Sequence, residues 1–530
     1  MVQLPPTSLL NKKKDKVSFN IKPLILCMPL LAMSAIHDAN ALSLDIRKHW
    51  ARDYLDFGQN KGIFKPGATN LVLVGKDGST LKLPNVPFPD FSPVSKHGPV
   101  TSIGGAYMIT ALHNRKDGKW QGNVGNPEWG QTKYQLKDYK AIDDFAVGRL
   151  NKFVVETQGV TEGIAPNLTP EQALERYGVE YNGRKEILVY RAGSGYVELR
   201  DQNGKHTFKQ WAYKPELLAG SLYKVVHWND IFTNSQRVNA NDLLSFSNIT
   251  TAGDSGSASF VWDNKQKKWV VLGTLWGAWS GSSFLVMSYS KWHQETVDAL
   301  KQKYRHDVAL DGKTLRLDSN NTYTIDNKQT TFGTSKDLVL SGGGTIALSK
   351  SLDLGIGGLV FASGNKYVVN GKDLTYKGAG VDIAKDVEVE WNIKGAKDDN
   401  LHKIGAGTLI VNEQQGNKLK IGNGTVVLNA EKTFDSIYVA SGAGTIKLGN
   451  KNALNLEDGR NGIFFTTGGG RLDLNGFDQT FKRIAASDNG AIVTNSSKDT
   501  ATLNFALPWE YALNFSFRLH SNPVCALLKP

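Results

Sequence analysis

The sequence predicts an all-β protein in two parts, a compact half built from short strands and a parallel right-handed β-helix behind it. Three observations carry this reading. Short apolar runs broken by Gly, Pro, Asn and Asp fill the first half. Glycine-led segments of one pattern recur through the second. Only one stretch, from Trp292 to about Tyr304, has apolar residues at helical spacing, with Val297, Leu300 and Tyr304 on one face. The boundaries follow: a leader over 1–41, the compact half over 42–305, the β-helix over 306–505 and an atypical tail over 506–530.

The leader has the layout of a secretory signal peptide. Lys12, Lys13, Lys14, Lys16 and Lys22 precede the apolar run Pro23 to Ile36, and Ala39-Asn40-Ala41 supplies small residues for cleavage after Ala41. Of the two cysteines, Cys27 falls inside it, so the mature chain keeps Cys525 alone and forms no internal disulfide. The net charge of +12 is spread out, with no basic patch interleaved with aromatics, which argues against nucleic acid as a partner.

Within the first half, strands are expected at Asn70 to Val74, Tyr107 to Leu112, Glu186 to Tyr190, Leu222 to His227 and Trp269 to Leu275, in a sandwich or barrel. The helix would close this half.

The chemistry centres on Thr251 to Phe260, which contains Gly253-Asp254-Ser255-Gly256. A serine hydroxyl needs a base to take its proton and fixed N–H donors for the oxyanion that forms. Glycine permits the backbone shape such donors require, so Gly253 and Ser255 are the candidate oxyanion hole and Ser255 the nucleophile, with Asp254 bracing the loop from behind. The same residues also make ordinary surface turns. What separates the two readings is a histidine and an aspartate upstream. His113 ends the apolar run from Tyr107 and is the candidate base. Asp144, with Asp143 beside it, opens the apolar run to Leu150 and is the candidate orienting carboxylate. The order His, Asp, Ser is that of chymotrypsin-type proteases, which makes the compact half a chymotrypsin-like double β-barrel.

Longer strings resemble a family. Tyr54-Leu55-Asp56-Phe57 with Asn60 to Thr69, Asp144-Phe145 with Arg149 to Val154 and Glu156, and Gly253 to Ser257 together resemble the IgA-protease family of autotransporter serine proteases, to which Hap-type adhesion proteins also belong. The resemblance runs from Leu42 to about Phe505. One departure is Ala258, where the family usually has proline after the serine motif; altered loop rigidity is expected from it. The resemblance implies a protease domain perched on a β-helical stem.

For specificity, Phe246 to Thr250 contains no acid, so a preference for Lys or Arg is not supported. Ile249, Trp276 and Gly277 are candidate pocket residues, with Trp276 and Trp279 equally suited to core packing.

In the second half, the segments beginning at Gly342, Gly405, Gly422, Gly442 and Gly468 share a register. Ile346 and Leu348, Leu409 and Val411, Val426 and Leu428, Ile446 and Leu448, and Leu472 and Leu474 fall on one strand face. Between them lie Ala347, Ile410, Val427, Lys447 and Asp473, so the other face tolerates charge. Repeats of roughly 20 residues, each a Gly turn and an inward-facing strand, fit coils of a β-helix better than a run of hairpins.

Residues 506–530 fit neither a further coil nor the family, and no strand series of the outer-membrane barrel type follows, so the passenger reads as truncated and its translocator barrel as missing from this sequence. The expected activity is that of an exported serine endopeptidase of a Gram-negative bacterium acting on host or self proteins. Its place is the periplasm, cell surface or medium. No cofactor and no metal site is implied. The rival reading is an adhesin that contacts a host cell surface or matrix through the β-helix, with an inert or self-cleaving protease domain.

Overall fold

The computed structural model describes residues 42–44, 48–193, 197–200, 206–208, 218–236, 246, 248–250, 253–280, 284–457, 462–482, 484–487, 490–506, 515–519 and 524–526. The leader over 1–41, with Cys27 and the cleavage position, lies outside the described residues, as do Thr251 and Ala252.

The chain is mostly β. In its first half, strands Arg184–Gly193, Ala219–His227, Phe232–Gln236, Phe284–Lys291, Lys268–Ser280 and Ala258–Asp263 run as antiparallel neighbours. The pairing of Tyr190 with Phe260 joins the last to the first and closes a six-stranded barrel. Ahead of it, Thr101–Ser102, Tyr107–Ala111, Phe145–Leu150 and Leu136–Ile142 form a four-stranded sheet with short hairpins around it. A shared aromatic core that includes Phe57, Phe88, Phe91, Tyr190 and Phe260 binds the two together.

Among the described residues three helices flank these sheets, two more than the helical spacing alone indicates. α1 (Ala51–Gly58) buries Tyr54 and Phe57. α2 (Pro170–Tyr177) begins at a capping box, in which Thr169 accepts from the Gln172 amide and Gln172 reaches back to Thr169, with proline at the first helical position. α3 (Gln294–Tyr304) buries Val297, Leu300 and Tyr304, the face expected from the spacing.

The second half is a β-helix of about seven turns. Its ladders are parallel and in register: Leu409 pairs with Val426, Val426 with Ile446 and Ile446 with Leu472. Nine of the ten aliphatic side chains picked out by the repeat are buried, and Leu348 is partly buried against the same core. On the opposite face Lys447 is half-exposed, whereas Asp473 is buried and accepts backbone N–H bonds from Asn475 and Ser496. The tail is drawn into the end of the stem: Phe515–Leu519 runs antiparallel to Ala501–Phe505, and Val524–Ala526 antiparallel to Ala491–Thr494.

The two halves join through a dense seam. Phe153 N–H donates to Ala379 O, the His402 ring nitrogen Nδ1 meets Phe153 O at 2.8 Å, and Lys420 donates to Thr132 Oγ1. Buried side chains of Phe153, Val154 and Ala379 pack across it.

Candidate active site

The site forms where the four-stranded sheet meets the closed barrel. The strand Tyr107–Ala111 is buried throughout and ends in a single 3-10 turn, Leu112–Asn114, which carries His113 to the surface. The neighbouring hairpin joins Leu136–Ile142 to Phe145–Leu150 through Asp143 and Asp144, with Ile142 opposite Phe145. Asp143 has φ +50°, a left-handed conformation that Asp tolerates in tight turns, and its side chain is exposed. That geometry turns Asp144 inward. The two adjacent acids therefore differ in role because the hairpin points them apart.

Asp144 grips His113 at two points. Its Oδ1 accepts the His113 backbone N–H at 2.7 Å, and its Oδ2 lies 2.8 Å from Nδ1 of the ring. A backbone bond from Leu112 N–H to Asp144 O at 2.8 Å fixes the turn against the hairpin. An imidazole held this way carries its proton on Nδ1 and leaves Nε2 free to act as a base.

The nucleophile loop is locked against the same strand. Asn114 donates from Nδ2 to the Ser255 carbonyl at 2.8 Å, so the residue after the histidine ties the His113 and Ser255 segments together. Gly256 has φ +88°, and a Cβ there would lie 2.4 Å from Thr110 Oγ1 and 2.6 Å from Pro99 O; no other residue fits. Gly253 is also left-handed, at φ +98°. The Ser257 N–H closes a turn onto Asp254 O, and Gly256 N–H and Ser257 O bond to Leu275 on the adjacent barrel strand. Ala258, in the family's proline position, is buried and paired with Thr274 inside the barrel ladder.

Of the candidate pocket residues, Trp276 and Gly277 follow Leu275 directly and so lie beside the loop. The register slips between Leu275 and Gly277, which makes Trp276 a bulged residue, and its side chain is 40% exposed rather than packed in the core. Beside Gly277 the space is open. Ile249 belongs to a short strand, Asn248–Ile249, paired with Leu42–Leu44, away from that bulge in the hydrogen-bond pattern. The Trp279 side chain lies outside the described residues.

Two residues of the site had no warning in the sequence. One is Asn114. The other is Arg191, whose guanidinium sits 2.9 Å from the Asp254 carboxylate with both side chains fully buried. Asp254 does brace the loop, and its partner comes from a strand far upstream.

A chymotrypsin-like arrangement of β-units carrying His, Asp and Ser at their junction, mounted on a β-helix, defines a serine-protease class. Residues 43–296 match the sequence profile of the immunoglobulin A1 protease family. The chain is 48% identical over 515 residues to serine protease EspP of Escherichia coli, covering 96% of this chain and 38% of that protein. It is 42% identical over 488 residues to the serine protease pet autotransporter of Escherichia coli O44:H18, covering 88% and 36%. Among solved structures, the passenger domain of plasmid encoded toxin from enteroaggregative Escherichia coli superposes with a TM-score of 0.77 at 41% identity, over 88% of this chain and 48% of that one. The Haemophilus influenzae Hap adhesin shares the fold, with a TM-score of 0.71 at 20% identity over 88% of this chain and 55% of that one. The chain thus spans less than two fifths of the length of these curated relatives.

Proposed function

We propose that this protein is a serine endopeptidase that cleaves protein substrates through an acyl-enzyme. Ser255 Oγ attacks the scissile carbonyl carbon as His113 Nε2 takes the hydroxyl proton. The N–H groups of Gly253 and Ser255 receive the oxyanion, and the proton on His113 passes to the leaving amine as the C–N bond breaks. Water then attacks the acyl carbon by the same route, releasing the carboxylic acid and restoring Ser255. Asp144 keeps the imidazole in the productive tautomer and stabilises the imidazolium. Trp276 and Gly277 form one wall of the substrate cleft, and Ile249 contributes from its strand.

The observation that carries this reading is the two-point grip of Asp144 on His113 beside a loop whose Gly256 admits no side chain. In this reading the chain divides into a leader over 1–41, a protease domain over 42–305, a stem over 306–505 and a tail over 506–530. The protein is exported across the inner membrane and acts in the periplasm, at the cell surface or in the medium, consistent with relatives called autotransporters. The substrates are host proteins or the chain itself. Labelling of purified mature protein with a fluorophosphonate, followed by peptide mapping, tests the reading: the label belongs on Ser255, and an unlabelled protein would leave the stem's surface as the functional part.

A further inference from the structure

We propose that Arg191 is the positioning residue of the oxyanion loop, holding the Asp254 carboxylate inward so that the N–H groups flanking Asp254 face the substrate carbonyl. This rests on the serine-protease reading above and adds to it a residue outside the catalytic triad.

The argument begins with where Asp254 stands. It lies between Gly253 and Ser255, so the direction of its side chain sets the rotation of the peptide plane that carries the Ser255 N–H and constrains Gly253, which carries the other proposed donor. A loop rich in glycine has many backbone states open to it, and a fixed donor pair needs something to select one. The selection comes from Arg191 at 2.9 Å, with both side chains fully buried. A second hold is independent of the first: Arg191 Nε donates to Ser257 Oγ at 2.9 Å. The guanidinium therefore grips the chain on both sides of Ser255, through residues 254 and 257. Its planar fork can make both contacts at once, which the single point charge of a lysine cannot.

The scaffold supports this arrangement. Arg191 sits on the barrel strand Arg184–Gly193, which pairs with the strand leaving the loop through Arg191 and Ser259. Two residues on, Gly193 makes room for the ion pair: a Cβ there would lie 2.4 Å from Asp254 Oδ1 and 2.5 Å from Arg191 Nη2. Burial alone would lower the value at which the guanidinium loses its proton, but Asp254, Tyr223 and Tyr289 outweigh it and raise that value. The anchor thus stays charged across the whole working range of the triad. Arg191 belongs to a barrel strand, so the folded barrel itself supplies the anchor of the loop.

The test compares the wild type with Arg191→Met, Arg191→Lys and the double variant Arg191→Met/Asp254→Asn, using labelled casein turnover and the rate of fluorophosphonate labelling. Loss of one oxyanion donor typically costs about 10²–10³ in kcat. Arg191→Met is expected to lose kcat on that scale per folded molecule, with KM within about threefold of wild type. The acid limb of the pH–rate profile stays where it is. Arg191→Lys recovers part of the loss. The double variant leaves no orphaned buried charge and folds with a wild-type urea midpoint, yet remains as slow as Arg191→Met. Wild-type kcat per folded molecule in the double variant, or a shifted acid limb in Arg191→Met, overturns the proposal. A wild type that neither cleaves casein nor takes the label sinks the protease reading itself, whereas an active wild type with equally active variants sinks only the role of Arg191.

Discussion

Arg149 and Asp337 meet in a buried two-point ion pair, Nη1 to Oδ2 at 2.8 Å and Nη2 to Oδ1 at 2.7 Å, that joins the strand following Asp144 to the β-helix. Arg149 also donates to Ile356 O and lies between the rings of Tyr107 and Tyr304, and Asp337 accepts the Gly358 N–H at 2.9 Å. One end of the strand Phe145–Leu150 therefore follows the orienting aspartate, while the other is bolted to the stem.

Removing one partner of such a pair leaves a buried charge uncompensated. Arg149→Met is expected to lower stability by about 3–5 kcal/mol. Adding Asp337→Leu to it restores most of the loss, because two apolar side chains replace two charges. Urea unfolding of the single and double variants checks this; equal midpoints for the two would mean that the ion pair is not what holds the seam.

The register of the stem makes a second prediction. Leu448 is fully buried and stacks on Leu428, whereas the neighbouring Lys447 points outward with its ammonium 3.9 Å from Asp473. Leu448→Asp buries a charge between coils and is expected to cost at least about 3 kcal/mol, while Lys447→Gln changes the urea midpoint little. Similar midpoints for the two variants would contradict the observed facing.

A third concerns pH. Lys403 occupies an inward row of the β-helix between Val381 and Ile421, fully buried, with its ammonium donating to the carbonyls of Gly405, Gly407 and Asn423. Burial pulls its value down to about 7, opposed by the neighbouring Asp382. Between pH 7 and about 10 the unfolded lysine keeps a proton that the folded one has released, so stability rises with pH there, by up to about 1.4 kcal/mol per unit. Lys403→Met removes this rise. Melting temperatures of both proteins at pH 7 and pH 9 check it: the wild type gains on the variant, and parallel behaviour would contradict the downward shift.

How far the sequence could be read depended on how local each signal was. The strings around His113, Asp144 and Ser255 are legible because a strand end, a tight hairpin and a glycine-flanked serine each leave a mark within a few residues. The turn geometry that exposes Asp143 and sets Asp144 against His113 left no mark in the sequence, where the two acids stand side by side. α2 carried a readable signal in Thr169-Pro170 with Gln172, which the search for apolar spacing passed over. Arg191 and Lys403 left none, and Arg149 appeared only as part of a family string, with nothing to show its burial. Each is a basic residue that sequence alone assigns to the surface, and each is buried because its partner arrives from a distant segment or from carbonyls that only a closed coil brings together. The β-helix was legible through one of its faces, the glycine-led one. The paired face running through Leu338, Leu359 and Val381 lacks a glycine marker at a constant offset.

The central claim is that Ser255, activated by His113, performs peptide-bond hydrolysis. Its most direct test is casein turnover by purified wild type and Ser255→Ala at equal folded concentration. Triad members act as a unit, so the variant is expected to lose about 10⁶ in kcat, with an unchanged urea midpoint. Equal turnover by the two proteins would contradict the account.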